Sequence, residues 1–148
     1  MNQTIQTQIQ QYDSYLQQWC AGYEDYAKSV GLSFTSLSVL SAIYDLPNCT
    51  QKQLCQVCFL PKQTVNAVVT SFYKKGWVRL EEVPEDRRNK TIHFTEQGMA
   101  EAQRILSRVQ ESERAAMSAL SEEERRTLLS ATERYVICCN RALKGATK

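Results

Sequence analysis

The hydrophobic and polar positions near the start of the chain follow the period of an amphipathic helix. Apolar side chains recur every three or four residues, with Gln, Asp, Glu and Lys between them. The apolar positions are Ile5, Ile9, Tyr12, Leu16, Trp19, Tyr23 and Val30. Gly31 follows this stripe, and glycine commonly ends a helix. The pattern therefore predicts one long helix that stops near Gly31.

The same period predicts two helices at the other end of the chain. One begins at Thr95, and its apolar stripe consists of Ala102, Ile105, Leu106 and Val109. The other begins at Ser121, because Glu124 three residues later has the spacing of a capping box, in which each side chain bonds a backbone N–H of the first turn. The stripe of this last helix comprises Leu128, Thr132, Tyr135, Val136, Cys139 and Leu143.

Short helices are predicted in the middle of the chain. The first begins after Ser33 and ends at Pro47, which cannot continue a helix. The second follows Thr50 and Gln53, which have the spacing of another capping box. It is predicted to cover about Gln51–Cys58.

A further short helix and a hairpin are predicted next. Pro61 suits the first position of a helix, since that position needs no N–H donor, and Gly76 ends the helix. Beyond Gly76 the apolar period changes to two, which predicts half-buried strands at Val78 and Leu80 and at Ile92 and Phe94. The charged residues between the strands form the predicted hairpin tip: Glu85, Asp86, Arg87, Arg88, Asn89 and Lys90.

These elements predict a mainly α protein with a small β-hairpin. A chain of 148 residues fits one compact domain. Its first residues lack the charged and apolar regions of an export signal, and no stretch approaches the roughly 18 apolar residues that a membrane span needs. We therefore expect a cytoplasmic protein without membrane association, in which the six cysteines are reduced thiols.

Residues that could support catalysis or metal binding are few. The chain has no glycine-rich phosphate loop, and its single histidine, His93, has no matched nucleophile and acid. Cys55 and Cys58 form a C-x-x-C pair, which could be a redox pair or half of a zinc site. No second pair follows, so these thiols are expected to pack as small apolar side chains. The sequence predicts a protein that is not an enzyme and needs no cofactor or metal.

The helix after Pro61 has the chemistry of a DNA-recognition helix. Net charge is only +2, but residues 61–93 hold seven basic and four acidic groups, and residues 61–75 hold three lysines and no acid. Amide, hydroxyl and lysine side chains can bond base edges or phosphates in the major groove. The candidate contacts on this helix are Lys62, Gln63, Thr64, Asn66, Thr70 and Lys74. The alternative is an ordinary solvated helix face.

The charged hairpin tip strengthens this interpretation. Two short helices followed by a hairpin are the order of a helix-turn-helix with a wing. Arg87, Arg88, Asn89 and Lys90 could enter a narrow minor groove, where Asp86 could hold the Arg88 guanidinium. Alternatively, the charged tip only keeps an exposed turn soluble, and the winged helix-turn-helix binds a protein partner instead of DNA.

The sequence resembles the MarR (multiple antibiotic resistance regulator) family of bacterial repressors. Three segments carry the resemblance: TQKQL at 50–54, LPKQTV at 60–65 leading to Lys75 and Gly76, and EDRRNKTIHFTEQG at 85–98. The Asp-x-Arg of Asp86 and Arg88, followed by a strand and T-x-x-G at 95–98, is the most specific part. Phe59 departs from the pattern, because many members have a glycine there, and this puts the local turn geometry in question.

The resemblance implies a winged helix-turn-helix homodimer that acts as a repressor on a palindromic operator. The DNA-binding lobe would cover about 33–98, and the segments 1–31 and about 100–148 would be dimerisation helices. The apolar stripes of both terminal segments agree with an interface. Recognition helices in such a dimer lie about 34 Å apart, one turn of DNA.

The resemblance also suggests how DNA release could be triggered. Family members often release DNA on binding a small aromatic ligand, and Trp19, Tyr23, Tyr26 and Tyr44 could line such a pocket. The alternative is that these aromatics are core or dimer contacts. Cys20, beside Trp19, is a candidate oxidant sensor, because some members sense oxidants through a cysteine in that region.

Overall fold

A computed structural model describes residues 3–146 of the chain. In this part the chain forms six helices and one two-stranded antiparallel hairpin. The elements are α1 (Ile5–Ser29), α2 (Phe34–Asp45), α3 (Gln51–Cys58), α4 (Lys62–Lys74), β1 (Val78–Val83), β2 (Asp86–Phe94), α5 (Glu96–Ser118) and α6 (Glu122–Gly145). The predicted fold class, mainly α with a β-hairpin, is confirmed.

Local signals in the sequence place the helix starts. The side chains of Thr4, Ser33, Thr50 and Ser121 each accept a hydrogen bond from the backbone N–H three residues later, at the starts of α1, α2, α3 and α6. Both predicted capping boxes are present, at Thr50 with Gln53 and at Ser121 with Glu124. These bonds satisfy donors that the first helical turn would otherwise leave unpaired.

Pro61 does not occupy the predicted position. It precedes the first helical residue instead of being that residue, because its ψ of 150° is extended while its φ of −61° is that of any proline. Helix α4 therefore begins at Lys62, and its N-cap contributes no side-chain hydrogen bond.

The hairpin is longer than the sequence pattern predicts. Residues 86–90 were expected in the tip, but they belong to β2, and only Pro84 and Glu85 form the turn. Pairing runs from Val78 with Phe94 to Val83 with Asp86, with an irregularity between Glu82 and Val83. Apolar alternation detected only the inner half of the hairpin, because both faces of its outer half are solvated.

The hydrophobic core of the first compact unit, Met1–Leu106, is formed mainly by side chains from α2 to α5, to which α1 adds Ala27. Phe72 is fully buried, and its ring stacks on Trp77 with centroids 5.5 Å apart. Each apolar side chain buried in this way contributes about 1.5–3 kcal/mol. The largest fully buried side chains are Val39, Leu40, Cys49, Leu54, Val65, Val69, Phe72, Ile92 and Ile105.

The second compact unit is Ser107–Lys148, and its boundary with the first lies within α5. The Arg125 guanidinium joins α6 to the end of α5, because it donates to the carbonyl oxygens of Met117 and Leu120 at 3.3 and 2.7 Å. The expected organisation, one domain with terminal dimerisation helices, stays a prediction. Among residues 3–146, no helix combines the length and the apolar character that crossing a membrane requires.

Candidate nucleic-acid interface

Helix α4 presents one apolar face to the core and one polar face to solvent. Val65, Val68, Val69 and Phe72 are buried. Thr64 is half-buried, and the remaining candidate contacts are exposed: Lys62, Gln63, Asn66, Thr70 and Lys74. The predicted division of the helix is therefore present, with amide, hydroxyl and ammonium groups free to meet a ligand.

The start of α4 is electrostatically favourable to an anion. Pro61 offers no side-chain acceptor to the first backbone N–H groups, and the first turn holds no acidic residue. The N-terminal end of a helix carries a partial positive charge, to which the Lys62 side chain adds a full charge. A phosphate oxygen could accept hydrogen bonds from these N–H groups.

A hydrogen bond from α3 positions a side chain on α4. The Nε2 group of Gln51 donates to Oδ1 of Asn66 at 3.4 Å, while the Asn66 amide nitrogen stays available as a donor. Sequence reasoning missed Gln51, which is fifteen residues away in the chain. No local pattern could have revealed it, since the two residues meet only because α3 packs on α4.

Phe59 forms the turn between α3 and α4. Its backbone is left-handed, with φ 54° and ψ 41°, and its N–H donates to the carbonyl of Cys55. The turn thus has the geometry that glycine adopts most easily, although a bulky residue occupies it. The Phe59 side chain is 92% exposed.

Asp86 shapes the backbone of the hairpin near its turn. Its carboxylate accepts hydrogen bonds from the Arg88 backbone N–H at 3.1 Å and from the Asn89 side-chain amide at 2.8 Å. The expected ion pair with the Arg88 guanidinium is not among the ion pairs found in residues 3–146, because the carboxylate is engaged by these local donors. The side chains of Arg87, Arg88 and Lys90 are exposed.

The base of the hairpin is attached to the start of α3. Thr50 and Thr91 form an isolated β-bridge, and the Ile92 N–H donates to the carbonyl of Cys49 at 2.8 Å. On the exposed side, Glu81 pairs with Arg79 at 3.0 Å and lies 3.3 Å from a ring nitrogen of His93. The hairpin therefore has a fixed position relative to the helix-turn-helix.

The T-x-x-G segment joins the hairpin to α5. The Thr95 hydroxyl donates to the carbonyl of Gly76 at 2.6 Å and accepts from the Gly98 N–H at 3.0 Å. A Cβ on Gly98 would lie 1.8 Å from the carbonyl oxygen of Trp77. Only glycine permits α5 to approach the segment before β1 so closely.

The four aromatics proposed as pocket residues occupy three different surroundings. Trp19 and Tyr23 lie with ring centroids 6.0 Å apart, and Tyr23 also contacts Phe34 on α2 at 5.6 Å. The Tyr26 hydroxyl donates to a backbone carbonyl of α5 at 2.6 Å. Tyr44 faces Phe94 at 6.5 Å. Trp19 and Tyr23 are therefore neighbours, whereas Tyr26 and Tyr44 have contacts of their own.

All six cysteines are free thiols. Cys20 is exposed, Cys49 is buried, and Cys55 and Cys58 are half-buried. Burial raises the pKa of the Cys49 and Cys58 thiols, which disfavours their reactive thiolate forms. Exposure leaves Cys20 more accessible to an oxidant than either of these thiols.

Comparison with known proteins identifies the family. The family model of the MarR family matches residues 30–89. The transcriptional regulator SarZ of Staphylococcus epidermidis is 31% identical over 114 residues, which are 77% of this chain and 76% of that protein.

Solved structures share the fold. A MarR family regulator from Neisseria meningitidis superposes with a TM-score of 0.80 at 21% identity, over 99% of this chain and all of the other. A mutant MarR from E. coli, solved in complex with operator DNA, gives a TM-score of 0.71 at 18% identity, over 90% and 99% of the two chains. The chain therefore belongs to the MarR family of DNA-binding transcriptional regulators.

Proposed function

We propose that this regulator binds a palindromic operator as a homodimer and represses transcription until a small ligand or an oxidant releases it. The exposed, acid-free face of α4 carries the proposal, because it offers donors suited to base edges beside a positively charged helix end. In this proposal α4 enters the major groove with Lys62, Gln63, Thr64, Asn66, Thr70 and Lys74.

The hairpin serves as the wing in this proposal. Arg87, Arg88, Asn89 and Lys90 extend from a hairpin that is hydrogen-bonded to the start of α3, and basic side chains of this kind favour a narrow minor groove. Asp86 acts by holding the backbone of Arg88 and the amide of Asn89. The E. coli MarR structure, which was solved in complex with operator DNA, supports operator binding by this chain.

Exposed apolar residues on the terminal helices support dimer formation. Trp19 is 63% exposed, Leu129 63% and Leu143 65%. Apolar surface of this size on a monomer usually marks an interface. The other exposed apolar residues of α1 and α6 are Ile5, Ile9, Tyr15, Leu16, Leu128, Tyr135, Val136 and Ile137.

The proposed release mechanisms use residues of α1. The ring pair of Trp19 and Tyr23 is the part of the expected pocket that could stack on an aromatic ligand. Cys20 is an exposed thiol that an oxidant could reach, as are Cys138 and Cys139 on α6. A coupling free energy of about 1–3 kcal/mol between DNA binding and either ligand binding or Cys20 oxidation would be enough to release the DNA.

Fluorescence anisotropy tests the proposed DNA binding. Purified protein is titrated onto DNA from upstream of its own gene and onto scrambled DNA, over a series of salt concentrations. We expect tighter binding to the upstream DNA and a steep dependence of log Kd on log salt. Equally weak binding to both DNAs would contradict an operator in that region and would favour the protein-interaction alternative, which a partner pull-down would then examine.

Two substitutions separate the roles of α4 and the wing. Arg88→Ala should reduce the salt slope by about two per dimer, since each lost phosphate contact contributes about 0.9. Asn66→Ala should weaken binding to cognate DNA while leaving binding to scrambled DNA unchanged. Lys28→Ala is the charge-matched control, because Lys28 is exposed at the end of α1, outside α4 and the wing. An Arg88→Ala slope equal to that of the control would contradict the wing contact.

Analytical ultracentrifugation tests the homodimer. The wild-type chain should sediment with twice the chain mass, and Val136→Glu should shift it toward the monomer, because a buried unpaired carboxylate opposes association. A monomeric wild-type protein at micromolar concentration would contradict the proposed dimer.

A further inference from the structure

Phe59 combines a left-handed backbone with an exposed aromatic side chain. Its φ of 54° lies in the left-handed region, which a bulky side chain adopts only with strain and which glycine adopts freely. Its side chain is 92% exposed, so packing within the chain does not compensate that strain. Strained residues of this kind concentrate at functional sites.

The turn places Phe59 beside the end of α4 that is proposed to enter the major groove. Lys62 is three positions after Phe59, so the two Cα atoms lie within roughly 11 Å of each other. Its backbone is fixed, because the Phe59 and Leu60 N–H groups both donate to the carbonyl of Cys55. The exposed ring therefore projects from a fixed backbone position that is close in the chain to the polar contacts of α4.

We infer that the Phe59 ring contacts the 5-methyl group of a thymine in the major groove and thereby contributes to operator specificity. Lys62, Gln63 and Asn66 can bond the polar edges of bases, whereas a thymine methyl group requires an apolar surface. A phenylalanine ring supplies that surface. The inference depends on the proposed function, since it requires that α4 meets the major groove.

Replacing Phe59 separates a DNA contact from a structural role. Phe59→Gly should fold at least as stably as the wild type, because glycine suits the left-handed turn and the lost side chain is exposed. Its affinity for cognate DNA should nevertheless fall by about fourfold per half-site, because burial of one methyl-sized apolar group changes a binding constant by about that factor. Phe59→Asn provides a second variant that tolerates the same backbone conformation.

Deoxyuridine provides the matched change in the DNA, because it differs from thymidine only by the absent methyl group. Each thymine of the upstream duplex is replaced in turn, and the Kd is measured for the wild type and both variants. At one thymine per half-site, deoxyuridine should raise the Kd of the wild type by about fourfold and leave the Kd of Phe59→Gly unchanged. The protein substitution and the DNA substitution then remove the same contact, so their effects on the Kd do not add.

Two outcomes would overturn the inference while leaving the proposed function intact. In the first, the wild type prefers cognate DNA, but every deoxyuridine substitution affects the wild type and Phe59→Gly equally. In the second, Phe59→Gly loses the same affinity on cognate and scrambled DNA, which indicates a contact with the sugar–phosphate backbone. Failure of the proposed function would differ from both, because the wild type itself would not distinguish cognate from scrambled DNA.

Discussion

Replacing Gly98 with alanine should destabilise the protein, although alanine favours helices. Gly98 is the third residue of α5, and a Cβ there would lie 1.8 Å from the carbonyl oxygen of Trp77 and 2.5 Å from its carbonyl carbon. These are backbone atoms and cannot rotate away as a side chain could. The same carbonyl accepts the Thr95 N–H at 3.0 Å, so moving it also strains that hydrogen bond.

The expected loss can be worked out from opposing contributions. Inserting a methyl group into a tightly packed site costs about 3 kcal/mol when the neighbours cannot yield. Alanine recovers about 1 kcal/mol through its better helix propensity. The net loss is about 2 kcal/mol, which corresponds to a fall in Tm of about 4–8 °C for a chain of this size.

Gly22→Ala is the matched control for this experiment. Gly22 lies within α1, and a Cβ there would have no atom within 4 Å. The substitution should therefore stabilise the protein by about 0.5–1 kcal/mol. Thermal unfolding of both variants and the wild type is followed by circular dichroism at several fixed protein concentrations, because association alters the apparent Tm. If Gly98→Ala unfolds at or above the wild-type temperature, the argument from close approach is wrong.

Three further predictions concern individual residues and their hydrogen bonds. Gln51→Ala should reduce the preference for cognate over scrambled DNA by about threefold, because Asn66 loses the donor that positions it; equal losses on both DNAs in anisotropy titrations would refute this. Hydrogen bonds from the Ser121 backbone and side chain lower the pKa of Glu124, so its contribution to stability is present above about pH 4.5 and is lost as the pH falls further. The free energy of unfolding of Glu124→Gln, measured with urea at several pH values, should lack that part of the acid dependence. If it depends on pH as the wild type does, the role of Glu124 is contradicted. Tyr26→Phe should cost about 1 kcal/mol in the free energy of unfolding, since its half-buried hydroxyl donates to a carbonyl of α5, and an unchanged urea midpoint would contradict that role.

Helix ends are predicted well from the sequence, because capping residues and glycines act on the backbone next to them. The capping boxes at Thr50 and Ser121 and the glycines at 31 and 76 gave the helix limits to within a few residues. Residues 86–90, which the sequence pattern assigns to the hairpin tip, are paired strand instead, because strands solvated on both faces show no apolar alternation. The helical position of Pro61 was also mispredicted, since a proline φ is compatible with both the N-cap and the first helical residue.

The candidate DNA interface was predicted in part. The exposed residues of α4 followed from helical periodicity, which places Lys62, Asn66 and Thr70 away from the buried valines. The role of Asp86 differed in detail, because its carboxylate bonds nearby backbone and amide donors instead of the Arg88 guanidinium. The exposure and backbone strain of Phe59 became visible only in the structure.

By itself, the sequence determined the order of helices and hairpin and the polar face of α4. Those features depend on residues within about four positions of one another, where capping, periodicity and backbone preferences act. Tertiary structure alone decided that Gln51 reaches Asn66, that Thr50 pairs with Thr91, and that α5 passes against the Trp77 carbonyl. These contacts join segments 15 or more residues apart. They form because packing of the apolar faces brings remote backbone together, and no local pattern encodes that distance.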